Sequence, residues 1–167
     1  MKFTARAWKF GDNINTDLIL PNVAFYLPQQ EQLKYIFRAN RPGWVDLVQP
    51  GDILIGGKNF GMGSSRPAAR NLKSLGLACL VAESINGLFY RNCVNFAFPA
   101  MECAGIEALL QEGETAAVDF DTGIVRNLTT KESRTGKTIP PQLLKIVAAG
   151  GIFALLEQEG AIAPRST

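Results

Sequence analysis

The chain has 167 residues, 47% of them hydrophobic and only 19% charged, with 17 basic side chains against 15 acidic ones and no histidine. This length sets one domain, residues 1–167, with a substantial core as the expectation, and a net charge of +2 argues against a nucleic-acid binder. The charged fraction lies below the roughly 25% of an average globular chain, which points to apolar surface covered by a partner.

No stretch approaches the roughly 20 apolar residues of a membrane span. Met1-Lys2-Phe3-Thr4-Ala5-Arg6 alternates polar and apolar without a signal-peptide core, so a cytoplasmic protein is expected. Residues 2–10 read as a strand with Phe3, Ala5 and Ala7 on one face. Gly11-Asp12-Asn13-Ile14-Asn15-Thr16-Asp17 is a polar turn segment. Its Asp12, Asn15 and Asp17 suit either local side-chain-to-amide bonds or the orientation of site residues. Leu18-Ile19-Leu20 then runs into Pro21.

The apolar spacing of Leu33, Ile36 and Phe37 predicts a helix over residues 31–39, broken by Arg41-Pro42-Gly43-Trp44. Ile53-Leu54-Ile55 is a short buried strand, entered from the turn Gln49-Pro50-Gly51-Asp52. Residues 68–75 read as a helix ending at Gly76, and residues 77–82 as the next buried strand. The sequence strand, loop, helix, strand is a βαβ unit. Further elements are expected as a helix at 86–95, a strand at 100–103, a short helix at 106–111 and a hairpin from 115–120 to 124–128. Two last helices, 140–149 and 152–158, are separated by Gly150-Gly151.

Cys79, Cys93 and Cys103 are far apart in apolar contexts and form no Cys-x-x-Cys, so buried free thiols are expected. The absence of histidine excludes a Ser-His-Asp or Cys-His mechanism built from this chain alone.

The chemistry is concentrated in Gly56-Gly57-Lys58-Asn59-Phe60-Gly61-Met62-Gly63-Ser64-Ser65-Arg66-Pro67. The glycines let the loop backbone adopt positive φ and approach other groups closely. Pro67 suits the first helical position, where no N–H is needed. Ser64, Ser65 and Arg66 are therefore expected in a turn at a helix N-terminus, a place that favours anions. Between Gly56 and Asn95 stand Lys58, Arg66, Arg70, Lys73 and Arg91 against Glu83 alone, a local excess of +4 that attracts anionic ligands. Arg70 and Lys73 fit equally well as the coat of an exposed helix face. A guanidinium matches both oxygens of a carboxylate.

Other glycine-loop motifs fail. Gly61-Met62-Gly63 has no glycine at 66 for a dinucleotide fingerprint, and Gly63-Ser64-Ser65 lacks the lysine of a P-loop. The Gly-x-Ser-x-Gly of a nucleophile elbow is absent as well.

Gly-Lys-Asn-Phe-Gly-x-Gly-Ser-Ser-Arg at positions 57–66 resembles the signature of the 3-isopropylmalate dehydratase small subunit, and more broadly the swivelling domain of the aconitase superfamily. Asp12-Asn13-Ile14-Asn15-Thr16-Asp17 with Leu18-Ile19-Leu20-Pro21, and Phe89-Tyr90-Arg91-Asn92, resemble two further motifs of that family in the same order. The resemblance implies an α/β swivelling-domain fold, with helices packed around a mixed sheet. It implies a hydro-lyase acting on a 2-hydroxy di- or tricarboxylic acid. It also implies no cofactor in this chain, but a [4Fe-4S] cluster in a separate large subunit, assembled as a heterodimer or heterotetramer. Ser64 would be the base, Ser65 and Arg66 would bind substrate carboxylate, and Asp17, Asn59 and Arg91 would support them.

Tyr26-Leu27-Pro28-Gln29 resembles the family's substrate-selecting loop, which makes Tyr26 and Leu27 substrate contacts. An arginine there would suit a third carboxylate; its absence favours an apolar substituent, as in isopropylmalate. Pro67 and Ala68 stand where many relatives have Glu-His, a form similar to relatives assigned to branched malates such as 2,3-dimethylmalate. The same departure keeps open a non-catalytic, carboxylate-binding or regulatory module on this scaffold.

Overall fold

The structure is a computed structural model that describes residues 1–63 and 66–164. Its strands are β1 (Lys2–Lys9), β2 (Ile53–Gly56), β3 (Cys79–Ala82), β4 (Ala100–Glu102), β5 (Thr115–Asp119), β6 (Ile124–Asn127) and β7 (Ser133–Thr135). They form one mixed sheet in the order β4-β3-β2-β1-β5-β6-β7. β1 pairs in parallel with β2, as do β2 with β3 and β3 with β4, whereas β5 runs antiparallel to both β1 and β6, and β7 antiparallel to β6.

The helices are α1 (Thr16–Ile19), α2 (Gln29–Leu33), α3 (Ala68–Ser74), α4 (Gly87–Asn95), α5 (Ile106–Leu109), α6 (Pro141–Ala148) and α7 (Ile152–Gln158). Successive strand side chains point to opposite faces, and the core divides accordingly. Leu54, Leu80 and Ala82 join Trp8, Phe37, Trp44, Leu72 and Phe89 on one face. Ile53, Ile55, Cys79 and Val81 join Ala7, Met101, Ile106 and Val118 on the other. The apolar runs of β2 and β3 follow from this: a parallel strand covered on both faces has no solvent side. After β7 the chain returns to the far edge of the sheet, where the Lys137 amide donates to the Glu102 carbonyl at 2.8 Å. The sheet is thus curled and its β4 edge is covered.

Most expected elements stand where the patterns put them. Asn86 caps α4 by accepting from the Leu88 amide at 3.1 Å, and Gly76 follows α3 with φ +100°. β5 and β6 form the hairpin. Pro67 precedes α3 as its N-cap instead of opening it.

The helix expected over 31–39 is a correction: α2 ends at Leu33, and Phe37 takes φ +55°. The Phe37 amide donates to the Ile19 carbonyl at 3.1 Å. Its ring stacks on Phe10 at 4.1 Å and meets Trp44 edge-on at 5.2 Å. This aromatic cluster outweighs propagation of an isolated short helix. β7 and the single turn of α1 were not anticipated.

Cys79, Cys93 and Cys103 are buried and free. Burial pushes all three thiols up, Cys103 to about 11, so they are protonated and unreactive near neutrality.

Asp52 is buried just before β2, an interior strand of the sheet. Its Oδ2 accepts from Arg6 Nη2 at 2.6 Å, Trp8 Nε1 at 2.7 Å and the Gln49 amide at 2.9 Å. Burial alone would raise this carboxyl, but the bonds from Arg6, Gln49 and Trp8 outweigh it and hold the pKa below the ordinary value. The folded state therefore binds protons less readily than the unfolded state here. The stabilisation is complete above the unfolded carboxyl pKa of about 3.9 and is lost as pH falls through the folded value. We expect thermal melts to drop steeply below about pH 4, and Asp52→Asn to flatten that acid limb while lowering stability at neutrality. An unchanged acid limb in the variant would remove Asp52 as its source.

Candidate active site

Beyond the carboxyl ends of β1, β2 and β3 the chain does not separate into independent loops. The Phe10 amide donates to Ile55 O at 2.8 Å, Asn13 N to Lys58 O at 2.7 Å, Gly61 N to Ile14 O at 2.7 Å and Thr16 N to Met62 O at 2.8 Å. On the other side Phe60 N donates to Ser84 O at 3.0 Å, and Asn86 N to Phe60 O at 2.8 Å. The glycine loop thus lies between the 11–16 turn and the 84–86 turn, continuing the parallel order past the sheet. Ligands of open α/β sheets bind at this end.

The turn residues serve that stitching. Asp12 Oδ1 accepts from the Lys58 amide at 2.6 Å, and Asn15 Oδ1 caps α1 by accepting from Leu18 N at 2.8 Å. Asn59 Nδ2 donates to Asn13 Oδ1 at 3.0 Å. Both asparagines have φ +58°, a region asparagine tolerates better than most residues. Asn59 therefore ties the glycine loop to the first turn.

Two glycines are required by close approach. A Cβ on Gly57 would collide with Asp12, and one on Gly61, at φ +78°, would enter the ring of Phe89. We expect Gly61→Ala to cost about 3 kcal/mol from strain plus overpacking. That corresponds to a fall in Tm of about 10 °C, and a melt within about a degree of the parent would show that the loop yields.

Arg66 is held on several sides. Its guanidinium forms an ion pair with Asp17, donates from Nη1 to Leu20 O at 3.4 Å, and lies 6.0 Å from the Phe25 ring centroid. The Arg66 side chain is 10% exposed and that of Asp17 61% exposed. The cation is held from below by α1 and bordered by an aromatic ring. Tyr26 is 90% exposed and meets Phe25 edge-on at 5.1 Å. The structure thus brings Arg66, Asp17, Phe25 and Tyr26 together. Leu27 is half-buried against the core, and Arg91 is exposed on α4. Ser64 and Ser65 lie outside the described residues.

Of these residues, Phe25 was not anticipated; its place beside Tyr26 in a polar-poor loop was the available signal. A cavity of about 350 Å³ lined by Ile85, Gly87, Tyr90, Glu102, Lys137 and Thr138 contains none of the expected site residues. Arg70 is half-buried on α3, which departs from a simple surface coat, whereas Lys73 is exposed as that reading requires. Among the described residues no group of three or more His, Cys, Asp or Glu side chains is gathered to hold a metal ion. The three buried cysteines lie in β3, in α4 and just after β4, a donor set that does not fit an iron–sulfur cluster.

The model of the aconitase C-terminal domain matches residues 12–104, the span that holds the turn, the glycine loop and α4. The small subunit of isopropylmalate/citramalate isomerase from Methanocaldococcus jannaschii is 41% identical over 156 residues, covering 92% of this chain and 93% of that protein. The chain belongs to the 3-isopropylmalate dehydratase small-subunit family. A small subunit 1 of 3-isopropylmalate dehydratase from Thermotoga maritima is 40% identical, covering 93% of this chain and 95% of the relative. A crystal structure of 3-isopropylmalate dehydratase from M. jannaschii superposes on this small-subunit fold with a TM-score of 0.90 at 26% identity, over 96% of each chain. The curled mixed sheet with surrounding helices is therefore the family's fold. No helix among the described residues is long and apolar enough to cross a membrane.

Proposed function

We propose that this chain is the single-domain small subunit of a cytoplasmic hydro-lyase that reversibly dehydrates a 2-hydroxy dicarboxylic acid, 3-isopropylmalate or a related branched malate. It acts only with a large subunit that carries a [4Fe-4S] cluster. The observation that carries this reading is Arg66: a guanidinium on the family's signature turn, buried on its lower side and bordered by Phe25 and exposed Tyr26. Arg66 would bind a substrate carboxylate. Its partner Asp17 is exposed, so the ion pair is open to solvent on the carboxylate side. A dicarboxylate can therefore share or displace that contact while Leu20 O keeps the fork oriented. The aromatic pair Phe25 and Tyr26 supplies apolar surface for a branched substituent, and residues 21–29 contain no cation for a third carboxylate.

Ser64 would take the proton next to the carboxylate, with Ser65 as a second contact to substrate. A neutral serine is a weak base, so the hydroxyl must ionise, which a neighbouring cation and backbone amides favour. The cluster, bound by the partner, would supply Lewis-acid chemistry at the substrate hydroxyl.

The test is reconstitution. The chain alone should be colourless and inactive, and the chain combined with a cluster-binding large subunit should form the unsaturated acid from 3-isopropylmalate, followed by its absorbance. Carboxylate binding without turnover by the complete assembly would favour a regulatory module instead.

A further inference from the structure

Away from the signature motifs, the described core holds two buried amide side chains facing one another. Gln32, at the end of α2, is 4% exposed, and Asn71, in the middle of α3, is fully buried. Asn71 Nδ2 donates to Gln32 Oε1 at 2.7 Å. Gln32 Nε2 in turn donates to Leu27 O at 2.9 Å and Phe25 O at 3.2 Å. The direction of this chain is over-determined. Two carbonyls can only accept, so Gln32 must present its NH₂ to them and its oxygen to Asn71.

Its ends are informative. One end is α3, which begins directly after Arg66-Pro67; the other is the backbone on both sides of Tyr26. Phe25, whose carbonyl is held, is also the ring beside the Arg66 guanidinium. Tyr26 is 90% exposed and its ring meets Phe25 edge-on, so its position depends chiefly on the backbone that carries it.

We propose that Gln32 and Asn71 form a positioning relay that sets the Tyr26 loop at a fixed distance from the Arg66 turn, and so determines how large an apolar substituent the site accepts. The inference deepens the dehydratase reading and rests on it for the substrate. The geometric part does not: an amide that bridges α3 to both flanks of one exposed residue holds that residue whatever binds there. Apolar side chains at 32 and 71 would fill the same space without holding the loop, which is a reason for retaining buried amides here at a cost in desolvation.

The experiment uses the assembled two-subunit enzyme and its Gln32→Leu, Gln32→Glu and Asn71→Leu forms. Amide hydrogen exchange over residues 25–28 reads the loop without reference to activity. Steady-state kinetics compare 3-isopropylmalate with 3-methylmalate, which differs from it only in the size of the substituent. In Gln32→Leu, exchange at 25–28 should rise while α3 stays protected. KM for 3-isopropylmalate should rise by about tenfold with kcat within about twofold, and the preference for isopropyl over methyl should shrink. Asn71→Leu should do the same to a smaller degree, because Gln32 still holds the loop carbonyls.

Gln32→Glu is the isosteric control against simple unfolding. Ionised, it cannot donate to the carbonyls; protonated, it can make one of the two bonds. Its KM should therefore approach the parent value as pH is lowered, in a range raised by burial, while the parent profile stays flat there. Unchanged exchange at 25–28 in Gln32→Leu overturns the relay. So does a loss of kcat/KM equal for both substrates and matched by a general loss of protection, or a Gln32→Glu enzyme without pH recovery. If the unmodified assembly turns over neither acid, the dehydratase reading has failed, and the exchange result alone then decides whether the relay holds the loop.

Discussion

Ser64→Ala is expected to lower kcat of the assembled enzyme by about a thousandfold, within the range of a lost general base, while the subunits still co-elute and KM moves little. The argument runs from chemistry to residue. Removing water from a malate requires a proton to leave carbon beside a carboxylate, and the chain has no histidine to accept it. The hydroxyl that follows Gly61-Met62-Gly63 is the group of the signature turn best suited to that proton. On either side of the two serines, Met62 and Arg66 are both anchored on α1, Met62 through its carbonyl to the Thr16 amide and Arg66 through Asp17 and Leu20 O. Because the change removes only the hydroxyl oxygen, its effect should fall on kcat. Turnover within a few-fold of the parent would remove Ser64 as the base.

Arg66→Leu is expected to lower kcat/KM by more than about a hundredfold, and Arg66→Lys to recover little of it, because a point charge cannot replace a two-pronged fork on a carboxylate. Folding should change far less than activity. The partner left behind, Asp17, is already exposed and returns to water at little cost. Asp17→Asn, which keeps the guanidinium but loosens one prong, should raise KM by only a few-fold. Equal losses in Asp17→Asn and Arg66→Leu would show that the ion pair, and not a bound carboxylate, is what Arg66 serves. The readout is initial rate against substrate concentration, with a thermal melt of each variant to separate folding from binding.

How much of the molecule could be read from its residues differs between elements. β2 and β3 were legible because Ile53-Leu54-Ile55 and Cys79-Leu80-Val81 are unbroken apolar runs bounded by turn residues, the mark of strands buried on both faces. α3 and α4 were legible from their punctuation at Pro67, Gly76 and Asn86. The helix over 31–39 does not form although its apolar spacing is genuine, because Phe37 joins the Phe10 and Trp44 rings instead of completing a helical face. β7 was missed because Ser133-Arg134-Thr135 is an exposed three-residue edge strand, paired only through β6.

The site divides in the same way. Gly61, Gly63 and Arg66 announce themselves because the chemistry of a close-approach turn and an anion contact restricts the residue types that can serve. The Asp17 partnership, the placement of Phe25 beside the guanidinium and the Gln32–Asn71 bridge carry no local pattern. They join residues 39 to 49 positions apart, and the identity of each residue is consistent with an ordinary loop or helix position. Composition and short-range spacing therefore determined the strands, the helix ends and the chemical character of the turn, since those depend on local backbone geometry and on which side chains can be buried. Only the tertiary structure decided which groups face Arg66 and what holds the Tyr26 loop, since those contacts arise when the parallel order of β1, β2 and β3 sets distant turns side by side.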